Sequence, residues 1–533
     1  MPAMQRMNGI DPMFIYSETA STPMEVAYAC VFDPSTAPKG YSFDAVRALL
    51  TERVPSLPPF RRRLMPVPLG LDHPRWVDDP DFDLDNHLHR LSAPEPHGPA
   101  EFADMVASIM SRPLCPEQPP WEMYVIEDLA DGRVGLVAKV HHSVIDGVAG
   151  AALMAQLLDL SAEGRPNNEP CAPWHPPQLP SAAQLLTHAL PNMLSSPLRT
   201  VRAVREIGRT ALRLARCALD GNTGPVSVPL FAPDLLQQPV VGEREVGLAQ
   251  MDLADIARVR QRFGVTMNDV VMAVCSGALR THFIELGQPV DESLVAIVPV
   301  SVRPASAGAD EGENLGNHLS AMFVPLGNDR DTPVERLHWV VESCRAMKGQ
   351  EREVGYGPLG SALAEAMPPM LAKPVVQGGI RAGILRRLRA GNLMVSNVPG
   401  PDFPLYFAGM RMEAVHPMGP VVDGLALNIT VQSYEQSMFI GINASAGAVP
   451  QLPGLARAMV LELAALVAAA EEGDARSPSR PAVHWLREEA EIRVPKARLV
   501  PRHSVPTAHA RRARSPVSAS RPVPVVRPEN SWD

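Results

Sequence analysis

A strand running straight into a helix, with two histidines and an aspartate at the junction, constrains this chain more than any other segment. The run Val134-Gly-Leu-Val-Ala-Lys-Val-His-His142 is apolar and rich in β-formers, and reads as a strand. From Gly147 to Leu160 the pattern is that of an apolar helix. Such a pair buries both elements against neighbours, which predicts a mixed α/β fold. His141 and His142 then sit at the strand's C-terminal end, where ligands of α/β sheets gather, and Asp146 opens the helix. Successive strand residues face opposite ways. His142 shares a face with Val140 and Ala138, and His141 with Lys139 and Val137, so at most one of the pair reaches a given pocket.

The rest of the chain supports the same class. Strands are expected at Met24 to Phe32, Trp121 to Leu129, Leu294 to Val302, Asn317 to Leu326, Leu393 to Asn397, Leu405 to Met412, Leu425 to Ser433 and Met438 to Asn443. Helices are expected at Phe43 to Glu52, Leu198 to Leu219, Leu253 to Phe263, Met267 to Leu286 and Leu455 to Ala470. A length of 533 residues exceeds one ordinary core. The expected division is 1–160, a proline-rich connector at 161–240, a second α/β domain at 241–474, and a tail at 475–533. The tail is rich in Arg, Pro, Ser and Ala without apolar periodicity, and reads as disordered.

Charge and cysteines narrow the functional classes. Net charge is −9, but residues 476–533 carry 12 Lys and Arg against 5 Asp and Glu. An acidic body with a basic tail argues against a nucleic-acid-binding core. Six cysteines occur without a CxxC pair or His cluster at zinc spacing, so they read as thiols in a reducing compartment, and no metal site is expected. No run of about 18 uncharged apolar residues occurs, so no spanning helix is expected.

A histidine at this junction suits general-base work, because its unperturbed pKa lies near neutrality. It can take a proton from a hydroxyl attacking an acyl carbonyl and return it to the leaving thiolate. A packing pair of histidines beside an Asp146 helix cap, with Gly147 for close packing, is the competing reading.

His141-His142-Ser-Val-Ile-Asp146-Gly147 does not stand alone. Pro113-Leu114-Cys-Pro-Glu-Gln-Pro119-Pro-Trp121, Asn268-Asp-Val-Val-Met-Ala273, Val298-Pro-Val-Ser-Val-Arg303, Gly316-Asn317 and Ser396-Asn-Val-Pro-Gly-Pro401 follow in order, after the opening Met4-Gln-Arg-Met-Asn-Gly-Ile-Asp-Pro-Met-Phe14. Together, over roughly residues 4 to 472, they resemble the bacterial wax ester synthase/diacylglycerol O-acyltransferase family. The resemblance implies two chloramphenicol-acetyltransferase-like mixed-sheet domains with an active-site tunnel between them. It implies acyl transfer from acyl-CoA, a co-substrate, to diacylglycerol or a long-chain alcohol, with no cofactor. It makes His142 the general base, His141 its structural neighbour and Asp146 a loop-orienting residue, with Arg303 as the expected ion-pair partner. It brings Asn268 to the substrate or the developing oxyanion, although the residue could equally cap its helix. It assigns Pro113, Leu114, Pro119, Trp121 and Gly147 to substrate binding, against the reading of a packed turn with a buried Trp. It also places the protein in the cytoplasm, attached peripherally to the inner face of the plasma membrane or to lipid bodies.

Arg199, Arg202, Arg205, Arg209, Arg213 and Arg216 recur at helical spacing. Contact with anionic lipid, pairing with the acidic body, and contact with CoA phosphates all fit that stripe. Two other functions remain open: transfer from a carrier-protein donor, as in condensation domains, and a catalytically idle protein that binds lipid or coats lipid bodies.

Overall fold

A computed structural model describes residues 4–7, 10–144, 150, 154, 156–165, 177–219, 234–301, 319–354, 369–388 and 391–476. Asp146, Gly147, Arg303 and the segment 477–533 lie outside the described residues. The protein is a mixed α/β molecule, as expected for the class, and its described residues form two six-stranded sheets and one smaller sheet.

The first sheet has the order β12-β13-β2-β7-β6-β5. Its strands are β2 (Glu25–Asp33), β5 (Leu88–Ser92), β6 (Trp121–Glu127), β7 (Val134–His141), β12 (Tyr406–Phe407) and β13 (Met410–Met418). The second has the order β10-β9-β11-β14-β15-β8, from β8 (Arg244–Asp252), β9 (Val295–Ser301), β10 (Leu319–Pro325), β11 (Leu393–Val398), β14 (Leu427–Tyr434) and β15 (Ser437–Ser445). A small sheet joins β1 (Gln5–Arg6), β3 (Arg62–Met65) and β4 (Arg75–Asp78). The longer helices are α1 (Asp11–Ser17), α2 (Phe43–Arg53), α3 (Pro99–Met110), α4 (Ala182–Leu219), α5 (Leu253–Phe263), α6 (Met267–Glu285), α7 (Pro333–Val354), α8 (Pro369–Arg381) and α9 (Leu452–Arg476).

Two expectations are corrected, and the first is the start of α4, which begins at Ala182 rather than Leu198. Leu405 to Met412 was expected to be a single strand. The chain instead reverses at Ala408 and Gly409, with φ of 49° and 84°, so Phe407 pairs with Met410. Two residues with positive φ make the tight turn that matches strand twist. The return strand β13 then runs to Met418 and pairs antiparallel with β2, inside the first sheet. A segment expected in the C-terminal domain, 241–474, thus completes the N-terminal sheet.

This crossing strand also joins the two sheets. His416 Nδ1–H donates to the Ile440 carbonyl at 2.9 Å, and the Tyr434 hydroxyl donates to Met412 O at 3.0 Å. A Cβ on Gly441 would lie 2.0 Å from Pro417 O, so only glycine admits so close a backbone approach.

β7 is buried along its whole length. Val134, Leu136, Ala138 and Val140 pack in one core with Trp121 and Phe60, while Val137 packs in another with Phe102 and Val106 of α3. That explains why its sequence, apart from Lys139 and His141, is apolar rather than alternating. In α9, the segment Leu452–Glu472 is long and apolar enough to cross a membrane by length and composition. It carries Arg457 and Glu462, however, and Leu455, Met459, Leu463 and Leu466 are buried in the second core.

Candidate active site

The end of β7 is held from both sides. The His141 N–H donates to Pro120 O at 3.0 Å and the His142 N–H to Met24 O at 2.7 Å. The chain then turns, with the Val144 N–H on His141 O at 3.0 Å. These bonds fix two adjacent imidazoles in different surroundings.

His141 is buried, 3% exposed. Its Nδ1 receives the Ser143 N–H at 3.1 Å and lies 2.7 Å from Ser143 Oγ. A ring nitrogen that accepts a backbone N–H carries no proton, so the neutral ring holds its hydrogen on Nε2. That atom lies 3.6 Å from the Glu18 carboxylate. His141 is therefore oriented and enclosed. His142 is half-buried, and its ring lies on Phe14 of α1 with centroids 4.3 Å apart and planes 8° apart. The flat stack fixes the plane of the imidazole.

Directly behind His141 lies a buried charge cluster. Lys139, fully buried, is 3.4 Å from Glu25 Oε2 and 3.3 Å from Glu122 Oε2. Its ammonium also donates to the carbonyls of Ile109 and Arg112, at 3.3 and 2.6 Å, where α3 ends. Glu25 Oε1 accepts the Leu114 N–H at 2.7 Å. Burial pushes the Glu25 carboxyl up, and the Lys139 ammonium acts against that shift. Glu25 faces His141 across the β2–β7 ladder, and Glu122 faces Lys139 across β6–β7. The cluster thus ties the Pro113–Trp121 segment to the strand that carries the histidines.

Within that segment, Pro119 is buried, Leu114 half-buried and Pro113 exposed. Trp121 is buried in the core, with its Nε1–H on Phe60 O at 2.7 Å and its ring stacked on His87 at 4.6 Å. Its described contacts are those of a packed turn.

Asn268 is half-buried in the first turn of α6 but does not cap it. The cap is Thr266, whose hydroxyl accepts the Asp269 N–H at 3.3 Å, while Asp269 Oδ2 accepts the Thr266 N–H at 2.9 Å. This reciprocal box meets the needs of the helix end and leaves the Asn268 amide for another task. Asp146 and Arg303, the expected ion pair, and Gly147 lie outside the described residues.

Of the cysteines, Cys30, Cys275 and Cys344 are buried, and desolvation pushes each thiol up to about 12. Thiols so shifted are poor nucleophiles at neutral pH.

Sequence reasoning missed Phe14, Glu18 and the Glu25–Lys139–Glu122 cluster as parts of the site. Lys139 did leave a signal, since it is the lone charge in an otherwise apolar strand, and Glu25 is followed by seven uncharged residues before Asp33 closes β2. Phe14 closes the opening segment that carries the resemblance, but its stacking on a ring 128 positions away was not legible there.

Two sheets linked through β13 of the first, with a histidine pair at the end of a central strand, define a known two-domain fold. The starter condensation domain of rhizomide synthetase, in complex with C8-CoA and Leu-SNAC, superposes with a TM-score of 0.51 at 14% identity, over 88% of this chain and 94% of that one. Residues 7–271 match the wax ester synthase/diacylglycerol acyltransferase catalytic domain, and residues 315–467 match the C-terminal domain of the same family. The chain belongs to that family of acyltransferases. It is 35% identical over 470 residues to a Mycobacterium tuberculosis (strain CDC 1551 / Oshkosh) protein provisionally named a diacylglycerol O-acyltransferase, covering 85% of this chain and 88% of that one. The wax ester synthase/diacylglycerol acyltransferase from Marinobacter aquaeolei VT8 superposes with a TM-score of 0.61 at 26% identity, over 88% of this chain and all of that one.

Proposed function

We propose that this acyltransferase moves a fatty acyl group from acyl-CoA to the free hydroxyl of diacylglycerol, forming triacylglycerol, with His142 as general base. The observation that carries the reading is the contrast between the two histidines. His141 is enclosed and bonded through Nδ1, whereas His142 is half-buried with its ring stacked on Phe14. His142 takes the hydroxyl proton as the oxygen attacks the thioester carbonyl. The C–S bond then breaks, and the proton passes to the departing CoA thiolate. No acyl-enzyme is required. Asn268, released from capping, donates to the developing oxyanion. Acyl-CoA is a co-substrate in this scheme, and the chemistry calls for no further cofactor. Asp146 orients the histidine turn, with Arg303 as its partner. Leu114, Pro119 and Gly147 border the channel, and Pro113 and Trp121 hold it in place.

Diacylglycerol is favoured over a long-chain alcohol by the names of the curated relatives. Both acceptors are insoluble in water, so the reaction takes place at the cytoplasmic face of a membrane or on a lipid body. Palmitoyl-CoA offered with diacylglycerol or hexadecanol in separate assays tests the reading, and ester should form with diacylglycerol at the higher rate. Ester from hexadecanol alone would make it a wax ester synthase. Transfer only from an acylated carrier protein would replace the CoA donor.

A further inference from the structure

Three neighbouring elements, one of them packed on α1, expose apolar side chains. α4 is seated on the body by a single side. Leu185 and Ala189 are buried there, and Asn192 Nδ2 donates to the buried Asp72 carboxylate at 2.8 Å. At 100° per residue the opposite side carries Leu190, Leu194, Leu198 and Val201, and all four are exposed, Leu194 to 70%. Arg202, Arg205 and Arg209 extend that side by two further turns and are exposed as well.

The apolar surface continues beyond the helix. The turn Pro68–Gly70 touches both α4 and α8. Leu69 stands at its tip with φ of 60° and 82% exposure. Beside it, a Cβ on Gly70 would lie 3.3 Å from Met370 Cα. On α8, Met370 and Val375 are exposed with Lys373 between them. α8 packs in turn on α1, whose Phe14 lies on His142. Exposed apolar side chains therefore occur on α4, on the Leu69 turn that touches it, and on α8, which packs on the helix that backs His142.

Charge identifies the partner. The chain carries −9 overall, yet α4 holds six arginines and one glutamate, and residues 369–388 hold four basic residues and no acidic one. A cluster of large exposed apolar side chains on neighbouring elements marks an interaction site rather than ordinary surface. Apolar side chains bordered by cations suit an anionic lipid surface, where the cations meet headgroups and the apolar groups enter the acyl region. An acidic protein partner would satisfy the arginines but would offer no acyl layer to Leu69 at the tip of its turn.

We infer that α4, the Leu69 turn and α8 form a docking face for an anionic lipid surface, positioned so that the acceptor lipid passes from that surface to His142 beside α1. The second half of this statement rests on the acyl-transfer reading, and the first does not. The test uses the full chain and sedimentation with vesicles of phosphatidylcholine and phosphatidylglycerol in equal parts. One variant combines Leu69→Ser, Leu194→Ser, Leu198→Ser and Met370→Ser. A second combines Arg202→Gln, Arg205→Gln and Arg209→Gln. All these side chains are exposed, and circular dichroism confirms that the variants fold.

The wild type should sediment with the vesicles. The leucine and methionine variant should lose partitioning by at least about tenfold, and the arginine variant should lose its preference for anionic over pure phosphatidylcholine vesicles. Turnover on diacylglycerol in neutral detergent micelles should be unchanged in both. Unchanged partitioning overturns the docking face. So does a fall in solution mass of the apolar variant with vesicle binding intact, which would make this face a contact between copies. Vesicle binding that is lost in the variants, in a wild type that forms no ester, supports the docking face and counts against the acyl-transfer reading alone.

Discussion

Replacing Lys139 with methionine keeps the side-chain stem in its slot and removes the ammonium. The carbonyls of Ile109 and Arg112 and the carboxylates of Glu25 and Glu122 then lose a donor or counter-ion. Glu122 retains the Tyr124 hydroxyl at 2.7 Å and some exposure to water. Glu25, 1% exposed, retains only the Leu114 N–H among its described hydrogen bonds. Breaking a buried pair from one side costs about 3–5 kcal/mol, because the remaining charge stays desolvated. Urea denaturation followed by tryptophan fluorescence should show a loss of that size. The loss should also depend on pH. The Glu25 carboxyl is already pushed up by burial, and removing Lys139 raises it further. A carboxyl with a raised folded pKa contributes stability below its unfolded pKa and loses it as pH rises through the folded one. The deficit should therefore be larger at pH 8 than at pH 5. Adding Glu25→Gln leaves an acceptor for Leu114 and removes the buried charge, so the double variant should recover most of the loss. A single-variant cost below about 1 kcal/mol, a deficit equal at both pH values, or a double variant no better than the single one would refute the reasoning.

Two further outcomes follow from the same geometry. His416 and His73 are held neutral by burial, each with its pKa lowered to about 4. Between pH 6.5 and 4 the unfolded chain binds more protons than the folded one, so stability should fall as pH falls through that window, by on the order of 3 kcal/mol for each. His416→Gln should reduce that slope in denaturation curves taken across the window. Phe14→Leu should leave the fold intact and lower kcat about fivefold to tenfold, in line with the loss of a stacked ring pair, with little change in KM for acyl-CoA.

Much of the fold was legible because β7 and its neighbours are long apolar runs with clear turn signals between them. Phe43–Arg53 and Leu253–Phe263 were expected to within a residue, since Ser42 and Asp252 cap them with local side-chain bonds. The crossing of β13 into the first sheet was not legible. It depends on Ala408 taking a positive φ before Gly409, and on pairing with a strand almost 400 positions away. α4 starts sixteen residues earlier than expected and carries Pro191 and Pro197 within it, residues that argue against a helix from sequence alone. The histidine pair could be found from its motif. Which of the two is enclosed could not, because that depends on Ser143, Glu18 and Phe14 converging in space.

The central claim is that His142 moves the proton in acyl transfer while His141 holds the turn. Turnover of palmitoyl-CoA and diacylglycerol by His142→Ala, with folding checked by circular dichroism, tests it most directly. The account predicts a fall in kcat of about 10²–10⁴-fold with acyl-CoA binding retained. A folded His142→Ala protein that turns over within a few-fold of the wild type would contradict it.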